Sequence, residues 1–160
     1  MSGVIKSSLA RKYAMALSGL FLVVFLLQHF IINLTSVFSE DVFNEISHFM
    51  GNNPLVQFVL QPVLIFGVIF HFLMGFVLEL KNRSSRDQNY AQNKGSANSS
   101  WMSRNMIWSG AVILSFLALH FIDFWFPEMN YKYIESLPSD PNRYFEEMVH
   151  KFVNPIRVVA

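Results

Sequence analysis

The sequence predicts an all-α fold, a transmembrane helical bundle, and three observations support it. Of the 160 residues, 52% are hydrophobic and 14% are charged, whereas a soluble domain carries about 25% charged residues. The charge is missing from three long hydrophobic runs, each near or above the ~18–20 apolar residues that cross a bilayer. The chain has 17 Phe and no Cys, which excludes disulfides, cysteine-ligated iron–sulfur clusters and covalent c-type haem in this chain.

Three spans are expected, all within one membrane domain at residues 1–160. Spans I, II and III should cover about residues 14–38, 55–80 and 105–126. We expect Pro62 to kink span II and Pro127 to end span III. A soluble protein is the alternative, but too little polar chain remains to cover three such helices. The charged residues that bound the runs are Lys12, Glu40, Glu45, Glu79, Arg104 and Asp123.

The segment after span III is polar and contains the helix breakers Pro138 and Pro141. Residues 144–152 are expected to form a short amphipathic helix. Asn154 followed by Pro155 is a helix-start signal, because Asn caps a helix and Pro fits its first position. A helix confined to residues 155–160 is too short to stand alone, so we interpret the chain as a fragment that ends where a fourth span starts.

The distribution of basic residues predicts the orientation. The I–II connection carries acidic residues and no Lys or Arg, while the N-terminus and the II–III connection are basic. By the positive-inside rule, both basic segments are cytoplasmic, and the protein is a multi-pass protein of the cytoplasmic membrane. The basic residues expected on the cytoplasmic face include Arg11, Lys12, Lys81, Arg83, Arg86 and Arg104.

One histidine lies within each hydrophobic run: His29, His71 and His120. An ionisable side chain in hydrocarbon is costly and indicates a functional site, and neutral imidazole suits axial binding of iron. His29 and His120 each lie about 22 Å from the inner ends of their spans, and His71 lies about 14 Å from its own. We therefore predict an outer site with His29 and His120 and an inner site with His71. The alternative is that each histidine hydrogen-bonds a carbonyl or a serine on a neighbouring helix.

Small residues lie near the three histidines, where a flat macrocycle that carries the iron would have to approach the helices closely. Gly67 and Gly75 stand one turn before and after the span II histidine, on the same helical face. Ser18 and Gly19 precede the span I histidine by about three turns, and Ser109 stands in the same relation to the span III histidine. Both serines should therefore face the same way as their histidines, about 16 Å deeper. Ordinary small-residue helix packing is the alternative for each glycine.

Four stretches give the chain a resemblance to a known family. They are residues 13–20 leading to Gln28 and His29, residues 43–50, residues 70–72 with Gly75, and residues 103–106 leading to residues 119–124. The likeness covers nearly the whole chain. It resembles the dihaem cytochrome b membrane anchor of succinate:quinone oxidoreductase, in the single-polypeptide, five-helix form that also serves fumarate reductases.

The resemblance implies an electron-transfer subunit with two haems b and a quinone, menaquinone being the expectation. His29 and His120 would ligate the outer haem iron. His71 would ligate the inner haem iron, with a partner on the next span. Flavoprotein and Fe–S subunits would be its protein partners, the latter docked on the basic cytoplasmic face, and nucleic acid would not be one. A bis-histidine iron is six-coordinate and only passes electrons, so no residue of this chain is expected to be catalytic. Quinone reduction is nevertheless expected to take place in this subunit.

A quinone site is expected in the outer half, beside the last electron carrier, where polar groups can supply protons. Glu45 and His48 of the I–II connection could feed protons, although His48 and His150 are expected to be solvated loop residues. The alternative for the other candidates is helix-end polarity or hydrogen bonding between helices. Those candidates are Asn33, Gln57, Gln61 and Asp123.

Two other functions compete with this assignment. One is the bis-histidine cytochrome b anchor of another respiratory complex, such as a hydrogenase or a formate dehydrogenase, which would dock a different enzyme. The other is a transporter or channel subunit with histidines as a proton relay. Between their bounding charges, the hydrophobic runs lack the Glu, Asp and Lys partners that such a relay needs, which disfavours it.

Overall fold

A computed structural model describes residues 8–84 and 100–159, and these residues contain no β-strand. The predicted all-α class is confirmed. Three helices are long and apolar enough to cross a membrane: span I at Leu9–Val37, span II at Val56–Lys81 and span III at Met106–Ile134. None of the residues in the most apolar stretch of each span is buried among the described residues.

Eight α-helices are assigned within the described residues. Span I consists of α1 (Ser8–Leu34) and a 3₁₀ turn (Thr35–Val37). Span II begins with a π-helical turn (Val56–Leu60) and continues as α3 (Gln61–Ser84). Span III joins α5 (Met106–His120), a π-helical turn (Phe121–Trp125), α6 (Phe126–Met129) and a second π-helical turn (Asn130–Ile134). The remaining helices are α2 (Glu40–Asn52), α4 (Trp101–Arg104), α7 (Arg143–Phe152) and α8 (Pro155–Val159).

The helix that holds span III continues beyond Pro127 to Ile134, so this proline does not end the helix. The π-helical turn directly before it explains the difference, because Phe126 N–H donates to the carbonyl of Phe121, five residues back. Proline lacks an N–H, and its ring clashes with the carbonyl four residues earlier in a regular α-helix. The wider turn relieves that clash, and the helix runs on to Ile134, two residues before Ser136, whose φ of 52° is left-handed.

Span II also has a π-helical turn before its proline, Pro62. Its π-helical turn also ends two residues before the proline, and Gln61 N–H donates to the carbonyl of Val56. The irregularity expected at Pro62 therefore takes the form of a wide turn ahead of the proline. Such turns are rare and are often found at functional sites. In span III the turn directly follows His120, which places an irregular backbone beside a predicted ligand.

The buried residues found among the described ones all belong to the pair formed by α2 and α7. They are Phe43, Asn44 and Arg143. The Asn44 Oδ1 accepts a hydrogen bond of 3.0 Å from the N–H of Phe145, in the first turn of α7. Asn142, the N-cap residue of α7, makes no side-chain capping bond. Asn44 therefore caps α7 from another helix, and the predicted amphipathic helix is held by a residue about a hundred positions earlier in the chain.

The structure divides into two compact units. The first comprises Met1–His71 with Pro138–Ala160, and therefore holds span I, α2, the first part of span II, α7 and α8. The second comprises Phe72–Leu137, which holds the end of span II and span III. His29 and His71 belong to the first unit, and His120 belongs to the second.

Candidate functional site

The His71 imidazole is the centre of the most clearly defined polar arrangement within the spans. Its Nδ1 lies 2.9 Å from the Ser18 Oγ on span I. The Ser18 hydroxyl also donates to the carbonyl of Met15, at 3.0 Å. Both side chains are half-buried. Two spans that are far apart in sequence are thus joined by a hydrogen bond at His71.

The Ser18 contacts favour one of the two positions for the imidazole proton. A hydroxyl has one proton, and Ser18 gives it to the Met15 carbonyl, which can only accept. With the hydroxyl proton on Met15, the Ser18 oxygen is free to accept from His71, which favours the tautomer with the proton on Nδ1. Nε2 then keeps its lone pair and makes no hydrogen bond within the described part of the chain. This is the tautomer in which a neutral histidine binds a metal through Nε2.

Gly19 lies directly against the His71 ring. A methyl group in place of its hydrogen would come within 3.1 Å of the His71 Cε1. At Gly67 the same methyl group would come within 3.1 Å of the Phe21 ring. Glycines at both points let the backbones of spans I and II approach closely. Gly67 thus makes a helix-packing contact, which is the alternative that the sequence left open for it, whereas Gly19 contacts the predicted ligand itself.

The position of Ser18 also fixes the level of His71 along span I. His29 lies eleven residues beyond Ser18 on the same helix, which corresponds to about 16 Å. His71 is therefore three turns from His29 along α1. Gly75 follows His71 by one turn on α3 and is half-buried.

The Ser109–Gly110 pair does not repeat the environment of Ser18–Gly19. Ser109 is exposed, and its hydroxyl donates to the carbonyl of Met106 at 3.0 Å. A methyl group on Gly110 would meet nothing within 4 Å. The described contacts therefore give no support to the predicted role of Ser109 at a cofactor. Ser18 and Ser109 are equally spaced from the histidines of their own spans, but their side chains have different contacts.

His29 and His120 each lie among aromatic rings of their own spans. The His29 ring stacks on Phe25, with ring centroids 5.5 Å apart. The His120 ring stacks on Phe116 at 6.0 Å and lies 5.3 Å from Phe124. The two histidines belong to different units of the structure. Their pairing at one outer site stays a prediction.

The structure changes the interpretation of Asp123 in particular. The sequence predicts it at the edge of span III, but the helix continues to Ile134, so the carboxylate lies well inside the helix. It is half-buried and lies within the π-helical turn that follows His120. Asp123 is therefore not a helix-end polar group. Sequence reasoning missed this wide turn; its signal is Pro127, which follows the turn by two residues, as Pro62 follows the turn of span II.

The other three quinone candidates lie in the first unit. The Asn33 side-chain amide donates to the carbonyl of His29 at 2.8 Å, and the Gln57 amide donates to the carbonyl of Gly51. Gln61 is half-buried on span II. No hydrogen bond joins the side chains of Asn33, Gln57 and Gln61 in the described chain. Asn33 therefore bonds within its own helix, as the helix-end alternative expects, and Gln57 bonds α2, as the alternative of hydrogen bonding between helices expects.

The connection between spans I and II is structured, which corrects the expectation for His48. This residue lies on α2, and its ring packs on Tyr144 with centroids 4.7 Å apart. Its Nε2 donates to the carbonyl of Pro141 at 3.1 Å. His48 is therefore not a solvated loop residue, because α7 covers it, whereas His150 is exposed as expected.

The basic residues predicted on the cytoplasmic face are only partly within the described structure. Lys12, Lys81 and Arg104 are exposed, and Arg11 is half-buried. The side chain of Arg83 and the whole of Arg86 lie outside the described residues.

Comparison with models of protein families, with curated proteins and with solved structures gives no match.

Proposed function

We propose that this chain is the haem b-containing membrane anchor of a succinate:quinone oxidoreductase, of the succinate dehydrogenase and fumarate reductase type. It would lie in the cytoplasmic membrane with its N-terminus in the cytoplasm, and would pass electrons between an Fe–S subunit and a membrane quinone. Three features support the proposal: one histidine in each of three spans, the family resemblance of the motifs around them, and the state of His71. The last of these carries the most weight.

The His71 arrangement fits an axial iron ligand. Its Nδ1–H is held by Ser18, and its Nε2 keeps a lone pair with no hydrogen bond among the described residues. A purely structural histidine would also bond Ser18, so that contact alone does not separate the two interpretations. They differ at Nε2, because a histidine retained only to join helices is expected to satisfy both ring nitrogens in hydrocarbon.

Bound haem would supply one-electron oxidation and reduction of its iron. The histidines of this chain would hold the iron, His71 through its Nε2. In the proposal, His29 and His120 hold the outer haem, and His71 holds the inner haem with one further ligand. In the proposal, Asp123 would hold a proton for the quinone; it lies in the π-helical turn after His120.

The proposal is tested by isolating the full chain from membranes, through an affinity tag, together with its partners. We expect a flavin-containing and an Fe–S subunit to co-purify, and succinate to reduce a b-type haem that is seen in the visible spectrum. Haem without a flavin-containing succinate-oxidising partner would assign the chain to another respiratory complex. Absence of a Soret band would exclude the haem function and leave the transporter hypothesis.

A further inference from the structure

We infer that Ser18 is a positioning residue that fixes the tautomer of His71 and raises the basicity of its Nε2; the inference rests on the proposed haem function. A neutral imidazole has two tautomers, and only the one protonated on Nδ1 offers Nε2 to iron. Ser18 is the residue that selects this form. It does so from span I, three turns away from the histidine of its own helix.

The direction of the Ser18 hydroxyl is set by the backbone. Its proton is committed to the Met15 carbonyl at 3.0 Å, so the oxygen presents a lone pair to the His71 Nδ1 at 2.9 Å. To favour the opposite tautomer, Ser18 would have to leave that carbonyl and donate to Nδ1. The proton on Nε2 would then have no partner among the described residues, which is costly in an apolar span.

Gly19 limits how far the His71 ring can move. Its backbone lies so close that a methyl group there would reach within 3.1 Å of Cε1, the carbon between the two ring nitrogens. The adjacent pair Ser18–Gly19 thus acts on one edge of the ring through a hydrogen bond and a close contact. Together they fix both the protonated nitrogen and the direction of Nε2.

The hydrogen bond also affects the electronic character of the ligand. A ligating histidine that donates its other N–H to an acceptor becomes a more basic ligand, and such second-shell bonds tune the metal. A more basic ligand favours the oxidised iron. Loss of the Ser18 acceptor should therefore raise the midpoint potential of the haem held by His71, and leave the other haem unchanged.

The experiment compares the full-length protein with three variants: Ser18→Ala, Ser18→Thr and Ser115→Ala. Thr keeps the hydroxyl at the same position. Ser115 is the matched control, because it lies within span III and its hydroxyl donates only to the carbonyl of Ala111, at 3.0 Å. Protein labelled with ¹⁵N-histidine gives the tautomer of His71 by NMR in the chemically reduced state, with His71→Ala used to assign the signal. A redox titration gives the midpoint potential of each haem.

The expected result is an Nδ1-protonated His71 in the unaltered protein, in Ser18→Thr and in Ser115→Ala. Ser18→Ala should shift the ¹⁵Nδ1 resonance of His71, because the hydrogen bond to Ser18 is lost, and raise one midpoint potential, with haem content kept. An unchanged Nδ1 resonance and an unchanged potential in Ser18→Ala would overturn the inference. An Nε2-protonated His71 in the unaltered protein would overturn it as well, even if Ser18→Ala does not fold.

The two proposals fail in different ways. Absence of haem from the unaltered protein refutes the proposed function, whereas the NMR measurement on the same sample still decides whether Ser18 sets the tautomer. Haem present with a potential that does not respond to Ser18→Ala refutes the positioning role alone.

Discussion

Replacement of Gly19 with Ala tests how tightly span I packs against His71. The new Cβ would stand 3.1 Å from the His71 Cε1, so one of the two groups must move by a few tenths of an ångström. The ring cannot simply turn away, because its Nδ1 is held by Ser18. Overpacking of this kind costs about 1–3 kcal/mol, while the better helix propensity of Ala returns up to about 1 kcal/mol.

Gly110→Ala is the matched control for this change. A Cβ at Gly110 meets nothing within 4 Å, so this variant should show the propensity gain alone. The difference between the two variants therefore isolates the His71 contact, at about 1–3 kcal/mol. For a chain of this size, each kcal/mol corresponds to roughly 2–4 °C in the midpoint of thermal unfolding.

The assay is thermal unfolding in detergent, followed by far-UV circular dichroism, for Gly19→Ala and Gly110→Ala in parallel. We expect Gly19→Ala to unfold several degrees below Gly110→Ala. Equal midpoints for the two variants would refute the close approach of spans I and II at His71.

Three further predictions address other parts of the molecule. Asn44→Ala removes the cap that α2 supplies to α7 and should destabilise the protein by about 1–2 kcal/mol in thermal unfolding. Asn142→Ala, at the N-cap position that makes no capping bond, should have little effect. Equal effects of the two substitutions would contradict capping from α2. Asp123→Asn keeps the shape but removes the titratable proton, so quinone reduction should fall while both haem spectra and succinate oxidation with an artificial acceptor persist; full quinone activity would place the site elsewhere. Arg83→Glu combined with Arg86→Glu should release the soluble subunits from membranes with haem content kept, as measured by sedimentation, and unchanged retention would reduce these charges to an orientation signal.

The spans could be predicted from the sequence because hydropathy over about twenty residues is a local property. The end of span III could not, because a proline normally stops a helix and only the wide turn before Pro127 lets this one continue. The same turn moved Asp123 from the expected helix edge to the helix interior. Local composition therefore predicts that each span exists, but it does not predict how long its helix is.

The neighbourhood of His71 was foreseen in part. Depth along the spans brought Ser18 near the predicted inner site, and the structure places its hydroxyl 2.9 Å from the His71 ring. Ser109 has the same spacing from its own histidine, yet its hydroxyl bonds the carbonyl of Met106. Spacing along one helix fixes the face on which a residue lies, but which neighbour meets that face is decided by tertiary packing. The bond between Asn44 and α7 is a tertiary contact of the same kind.

The most direct test of the account is the haem spectrum of the full-length protein with single histidines replaced. His29→Ala and His120→Ala should each remove the same low-spin haem b signal, and His71→Ala should remove the other. His150→Ala, at an exposed position on α7, should keep both signals. If both signals survive His71→Ala, or if the unaltered protein contains no haem, the central claim is contradicted.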